Sequence, residues 1–313
     1  MSIPIIIDTD PGVDDAVALL LAAASPEVQV LAVTTVFGNV GVELTTSNAL
    51  RLRALAGLGH VPVASGAARP LVYPRDQRTE SCHGPDGLGG RVDLLPESTG
   101  PLSSRGAVAL LADLLLAASH PVTLVPIGPL TNIALLLAAH PEVKHKIGRI
   151  VTMGGHLVRD SQPESNIRAD PEAAHRVLVE EDVPTTLVPL DLTLRAVVDG
   201  DWLYELASAG PRCAALAGIV EPYRACLREI TGRDAVVLHD ALAVLEAAVP
   251  GTLRATPMRL EVVCDQGPSR GAVQAGEHGR AGHHRAGHEV QVAQDADLPA
   301  VSATILDRLG GLR

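Results

Sequence analysis

Asp8, Asp10, Asp14 and Asp15 fall within eight residues, DTDPGVDD, with Pro11 and Gly12 between the two pairs. One of the later pair could cap a helix, because an anion at a helix start accepts free N–H groups and suits the dipole. A cap uses a single aspartate. Four crowded carboxylates repel one another unless a cation neutralises them, and no Lys or Arg lies in the stretch. The cluster therefore points to a hard cation held by oxygen, Ca²⁺ or Mg²⁺ rather than zinc. Far along the chain, His239 stands beside Asp240, a potential proton donor next to another carboxylate.

Other reactive residues carry weaker patterns. His278, His283, His284 and His288 include one i, i+4 pair, but that spacing matters only on a helix. The intervening Gly and Arg make a helix, and so a second metal site, unexpected. Cys82, Cys213, Cys226 and Cys264 are widely scattered and form no CxxC pair, so they read as reduced thiols rather than a disulfide framework.

The elements that must position these groups alternate along the chain. Strands are expected at Ile3 to Ile7, Val28 to Thr35, Val122 to Ile127, Arg149 to Met153 and Thr185 to Leu190. Ala/Leu-rich helices are expected at Asp14 to Ala24, Thr45 to Ala56, Leu130 to Ala139, Pro171 to Val179, Asp201 to Ala209 and Asp240 to Ala248. This is the βα rhythm of an α/β fold, a mostly parallel, Rossmann-like sheet flanked by helices. The polar segments DTDPG, FGN, GPLTN, GGH and DLT each follow a strand. In a parallel sheet they share one rim, where ligands bind. Gly267 to Gly287, rich in Gly, Arg and His without a period, reads as a loop or irregular hairpin.

Composition narrows the partners. The 313 residues, with no low-complexity linker, read as one domain, 1–313. A net charge of −11 disfavours nucleic acid, because binding a phosphate backbone draws on surplus Lys and Arg. The apolar run in MSIPIIIDTD is too short for a signal peptide, and no run of apolar residues is long enough to span a bilayer. A soluble, cytoplasmic protein with no membrane partner is expected. With one Trp, one Phe and three Tyr, the core must come from Leu, Val, Ile and Ala.

DTDPGVDDAVALLLA resembles the N-terminal signature of the inosine–uridine-type nucleoside hydrolases. VTTVFGNV around Asn39, LVPIGPLTNIA around Ile127 and VVLHDALAV around His239 are similar to further segments of that family, in order. CHGPDGLGG, VTMGG and NIRADPEAAH agree as well, so the resemblance spans about Ile3 to Val249. It implies Ca²⁺ held by the carboxylates of Asp10, Asp15 and Asp240 and the backbone carbonyl of Ile127. It places Asp14, Asn39, Glu164 and Asn166, with Asp240, against the ribose, and His83 near the base. Asp10 would be general base and His239 the leaving-group acid, in a protein that assembles as a homodimer or homotetramer.

The residue types suit that chemistry. Breaking an N-glycosidic bond builds an oxocarbenium-like ribosyl cation and a poor anionic leaving group. A site then needs negative charge below the sugar and a proton donor above the base. Two other readings compete: an Mg²⁺ phosphatase of the haloacid-dehalogenase type, suggested by Asp-Thr-Asp, and a non-catalytic Ca²⁺-dependent nucleoside-binding protein.

The chain also departs from the family pattern. Between Gly155 and Glu164 it is about three residues shorter, and a Gly-Asn pair expected on the ribose 5′ side is missing, leaving Asp160, Ser161 or Gln162 as substitutes. Ser165 stands where an aromatic residue is usual. Tyr223 and Leu227, one helical turn apart, are candidates for lining the base pocket. No tryptophan lies near His83, which favours a pyrimidine or broad inosine–uridine preference.

Overall fold

The computed structural model describes residues 2–74, 82–98, 100–158, 161–276 and 288–312. The chain begins with β1 (Ile3–Thr9), α1 (Val13–Ala24), β2 (Val28–Thr35), α2 (Val42–Leu55) and β3 (Val63–Ser65). It continues through α3 (Ala107–Ala117), β4 (Val122–Pro126), α4 (Thr131–Ala139), β5 (Ile147–Met153), α5 (Ser165–Ala169), α6 (Pro171–His175) and β6 (Thr185–Val188). There follow α7 (Leu190–Thr193), β7 (Val197–Val198), α8 (Gly200–Ser208), α9 (Pro211–Thr231), β8 (Val236–Val237) and α10 (His239–Ala248). The last elements are β9 (Leu253–Met258), β10 (Leu260–Val262), β11 (Val273–Ala275), β12 (Val290–Ala296) and α11 (Leu298–Gly310).

Eight strands form one sheet in the order β3-β2-β1-β4-β5-β6-β12-β9, parallel throughout except for β9, which runs antiparallel to β12. The order reverses between β1 and β4, the place where a doubly wound sheet opens a crevice at its carboxyl ends. The expected α/β fold is therefore what the chain adopts.

Strand alternation explains the two-sided core. On β1, Ile5 and Ile7 face one apolar layer and Ile6 the other. The first layer is roofed by α1, α9, α10 and α11, the second by α3, α4 and α6. Both faces being covered, the strands read as continuous apolar runs rather than alternating ones. Helix α1 is extreme in this respect: nine of its twelve residues are buried, Leu20 and Leu21 completely. Its small alanines let it lie against β1's layer and α10 at once.

Three expectations need correcting. The helix expected over Pro171 to Val179 ends at His175 and continues as a wider, π-helical turn over Arg176–Glu180. The strand expected to reach Leu190 stops at Val188, and Leu190 opens the short α7. Most consequentially, Cys82 and Cys226 form a disulfide, whereas Cys213 and Cys264 are free thiols. The two partners are 144 positions apart, yet packing brings their Cα atoms to 5.5 Å, a proximity that sequence spacing does not carry. In the Gly267 to Gly287 region, β11 pairs with β10 as an antiparallel hairpin; residues 277–287, with His278, His283 and His284, lie outside the described residues.

Buried polar side chains brace the rim. Asn132, in the first turn of α4, donates through Nδ2 to Asp8 Oδ1 at 2.8 Å and to the Thr35 carbonyl at 2.9 Å. Its Oδ1 accepts the Ala67 N–H at 2.9 Å, so one amide ties β1, β2 and the segment after β3 together. Asp170 works similarly, capping α6 through Ala173 N–H while accepting Thr131 Oγ1 and the Leu71 N–H. Replacing Asn132 by Ala removes its bonds to the Ala67 N–H and the Thr35 carbonyl and leaves Asp8 Oδ1 with Thr34 alone, at about 1–3 kcal/mol per buried group stranded. Asn132→Ala should lower the urea-unfolding free energy by roughly 3 kcal/mol or more. A loss below about 1 kcal/mol would mean that the brace is idle.

Candidate active site

Where β1 and β4 diverge, a cavity of about 180 Å³ opens. The lining residues include Asp14, Asp15, Asn39, His83, Ile127, Glu164, Asn166, His239 and Asp240, so nearly every expected site residue meets there. Asp14 and Asp15 arrive in the first turn of α1 and Asp240 in the first turn of α10. One oxygen from each of the three can be chosen so that all lie within 4.8 Å of one another.

Asp10 sits behind this floor rather than on it. It is 2 % exposed and is not among the lining residues. Its Oδ2 accepts the Asn39 N–H at 2.7 Å, while Oδ1 is buried with no hydrogen-bond partner. Glycine is required on both sides, since a side chain on Gly38 or Gly128 would collide with one of the two carboxylate oxygens. Asp15 is held by Thr9 Oγ1, by the Gly12 N–H at 2.9 Å and by Asn39 Nδ2 at 3.3 Å. Asp8 points elsewhere: Thr34 Oγ1 and Asn132 Nδ2 bond to it, which makes it part of the brace.

Burial, and then mutual repulsion, pushes these carboxyls upward: Asp14 and Asp15 to about 6, Asp10 and Asp240 well above the usual carboxylate range. Among the described residues no Lys or Arg lines the cavity. An all-oxygen cluster with an orphaned buried oxygen and no counter-cation fits a bound hard metal ion.

On the β4 side, Asn166 Nδ2 donates to the Ile127 carbonyl at 2.8 Å, leaving that oxygen a second lone pair. Glu164 caps α5: Oε1 accepts the Asn166 N–H at 2.7 Å, and Oε2 accepts those of Ile167 at 3.0 Å and Gly155 at 2.9 Å. Three backbone donors fix the orientation of the carboxylate. Ser165 lines the cavity where an aromatic wall was expected, its hydroxyl donating to Glu164 Oε1. Ser161 and Gln162 do not line it, and Asp160 lies outside the described residues.

The opposite wall is aromatic. His83 Nδ1 accepts the Val13 N–H at 3.1 Å and lies 3.7 Å from Asp14. Its ring meets Tyr223 at a centroid distance of 5.2 Å. Leu227 packs against the core instead of lining the cavity. His239 Nδ1 pairs with Thr193 Oγ1 at 2.8 Å, and burial, helped by neighbouring His83, pushes its pKa down to about 4.

Thr193, Met153 and Leu190 were not singled out as individual site residues. Met153 ends β5, Leu190 follows β6 and Thr193 closes the DLT segment, so position at a parallel strand's carboxyl end was the available signal.

Comparison with known proteins agrees with this geometry. The profile of the family described as inosine-uridine preferring nucleoside hydrolase matches residues 5–303. A non-specific ribonucleoside hydrolase RihC from Klebsiella pneumoniae subsp. pneumoniae is 37% identical over 302 residues, covering 95% of each chain. A pyrimidine-specific ribonucleoside hydrolase RihA from Photobacterium profundum is 48% identical over 205 residues, 64% of this chain and 65% of that one. Among solved structures, a plant nucleoside hydrolase superposes with a TM-score of 0.90 at 29% identity, covering 99% of both chains. The chain thus belongs to the inosine-uridine preferring nucleoside hydrolase family, enzymes that cut ribonucleosides at the N-glycosidic bond.

Proposed function

We propose that this chain, acting as one α/β domain, hydrolyses ribonucleosides with a Ca²⁺ ion held by Asp10, Asp15, Asp240 and the Ile127 carbonyl. The observation that carries the reading is the buried carboxylate cluster with an unpartnered Asp10 Oδ1 and, among the described residues, no cationic side chain on the cavity wall. Ca²⁺ bound there would bring water of lowered pKa and a hard anchor for sugar hydroxyls.

The protein's own groups carry the remaining steps. Asp10, with its Oδ1 unpartnered beneath the floor, accepts the proton of the attacking water. The carboxylate floor stabilises the positive charge that builds on the ribosyl ring. Asp14, Asn39, Glu164, Asn166 and Asp240 hold the ribose, Glu164 with its orientation set by three N–H groups.

His239 is neutral near pH 7 with a pKa of about 4. Thr193 as donor to Nδ1 leaves the ring proton on Nε2, available to the departing base. A neutral imidazole donor strengthens its hydrogen bond as negative charge reaches the base, without needing to start as imidazolium.

The rival phosphatase reading falls with the family match. The non-catalytic reading is answered by assaying turnover. A pyrimidine or broad inosine–uridine preference fits the relatives named pyrimidine-specific and non-specific. Assembly as a homodimer or homotetramer and a cytoplasmic setting complete the proposal; among the described residues no helix is long and apolar enough to cross a membrane.

Elemental analysis of the purified protein should find about one calcium per chain. Asp10→Ala and Asp240→Ala should each lose it together with hydrolysis. Asp199→Ala, which removes only the cap of α8, should keep both. Stoichiometric zinc in place of calcium would sink the assignment.

If the named residues grip the ribose hydroxyls, deoxyuridine should be cleaved at least about 10² more slowly than uridine, since a missing hydroxyl strands buried polar partners. Comparable kcat/KM values for the two would refute the arrangement.

For the leaving-group donor, His239→Ala should cut kcat on uridine by about 10² or more while sparing p-nitrophenyl riboside, whose leaving group departs as an anion. Calcium content must stay unchanged in that variant. Equal losses on both substrates would move the role away from His239, with His83→Ala the next test.

A further inference from the structure

Two residues that the proposed mechanism does not use border the leaving-group wall. Cys82 immediately precedes His83, and Cys226 lies on α9 three residues after Tyr223, hence on the same helical face. The disulfide therefore joins the two backbone segments whose rings meet at the cavity.

The segment after His83 is already tied down. The His83 carbonyl accepts the Gly89 N–H at 2.7 Å, and Asp86 Oδ1 accepts those of Leu88 and Gly90. Asn48 Nδ2 holds the Asp86 carbonyl at 2.8 Å. Gly89, at φ 68°, backs so closely onto the Ile219 carbonyl and Pro222 that no side chain fits there. On the other side of His83, the adjacent residue is fixed by the covalent bond to α9.

We propose that the Cys82–Cys226 disulfide is a positioning element for the base-facing wall, holding His83 and Tyr223 in register, and that thiol reductants act on nucleoside hydrolysis through it. This rests on the reading that His83 and Tyr223 face the base. Both cysteines are partly exposed, so a small dithiol can reach them. One dithiol sulfur attacks a cysteine sulfur, forming a mixed disulfide and releasing the other cysteine as a thiolate. The second dithiol sulfur then closes the reagent to its own disulfide and frees the remaining cysteine. Two electrons and two protons pass to Cys82 and Cys226, and the reagent is oxidised by the same amount. The wall then loses a covalent constraint and the base contact loses preorganisation.

The test uses the full chain purified without reductant. Thiol titration after unfolding should find two free thiols before reduction and four after it, in accord with free Cys213 and Cys264. Dithiothreitol should lower kcat/KM for uridine about fivefold, the scale of re-ordering one or two immobilised side chains, and reoxidation should restore it. p-Nitrophenyl riboside should change less than about twofold, because its leaving group makes little demand on the base wall. Cys82→Ser and Cys226→Ser should each sit at the reduced level and ignore dithiothreitol. His83→Ala should also be insensitive to it, an outcome that simple loss of stability would not produce.

Four free thiols before reduction, equal rates in both redox states, or matching losses on both substrates would each overturn the positioning role. Absence of hydrolysis by the oxidised protein would overturn the site reading and this role with it. Unimpaired hydrolysis that ignores reductant would overturn the role alone. Should the serine variants fail to fold, reduction and reoxidation of the unaltered chain decide the matter.

Discussion

Packing carboxylates into one buried pocket is the constraint from which the rest of this structure follows. Oxygens of Asp14, Asp15 and Asp240 within 4.8 Å of one another repel at about 3 kcal/mol per pair for an effective dielectric near 20. The helix starts beneath them help, since α1 and α10 both direct their N-termini at the pocket. A helix end contributes only about 0.3–1 kcal/mol to a nearby anion, up to ~2 in partly buried geometries. The dipoles cannot balance the repulsion, which is the energetic ground for the cation proposed above.

Such a pocket has to be built by a scaffold that resists its own charge. The strand-order reversal supplies the opening, and polar braces keep it in shape. Asn132 and Asp8 lock β1 to β2, Asp170 joins α4 and α6 to the segment after β3, and Glu164 spends its carboxylate on three backbone N–H groups. Asn132, Asp170 and Glu164 are buried polar groups with partners supplied on both sides, a condition under which polar networks rigidify rather than weaken a core.

The sequence exposes these parts unequally. DTDPGVDD was legible because all its carboxylates are local, and the βα rhythm placed them on a sheet rim without further help. Asp240 and Glu164 meet that cluster only through the fold, so the family resemblance had to join them to it. Asn132 looked like one more rim residue; its role as a brace depends on partners at positions 8, 35 and 67. The short β3 and the terminal β9 and β12 gave too little pattern to be called strands. The disulfide was misread because thiol pairing is decided by the approach of a loop to α9, to which no residue spacing refers.

Helix α1 is buried on nearly every side, whereas the aromatic wall is assembled from the loop that begins at Cys82 and a partly exposed face of α9. Local opening follows depth of packing, so the interior amides of α1 are expected among the slowest to exchange and those of the wall among the faster. On the proposed reading, the residues that would set the choice of base stand on the less deeply packed part of the site, where substitution costs the buried floor little stability.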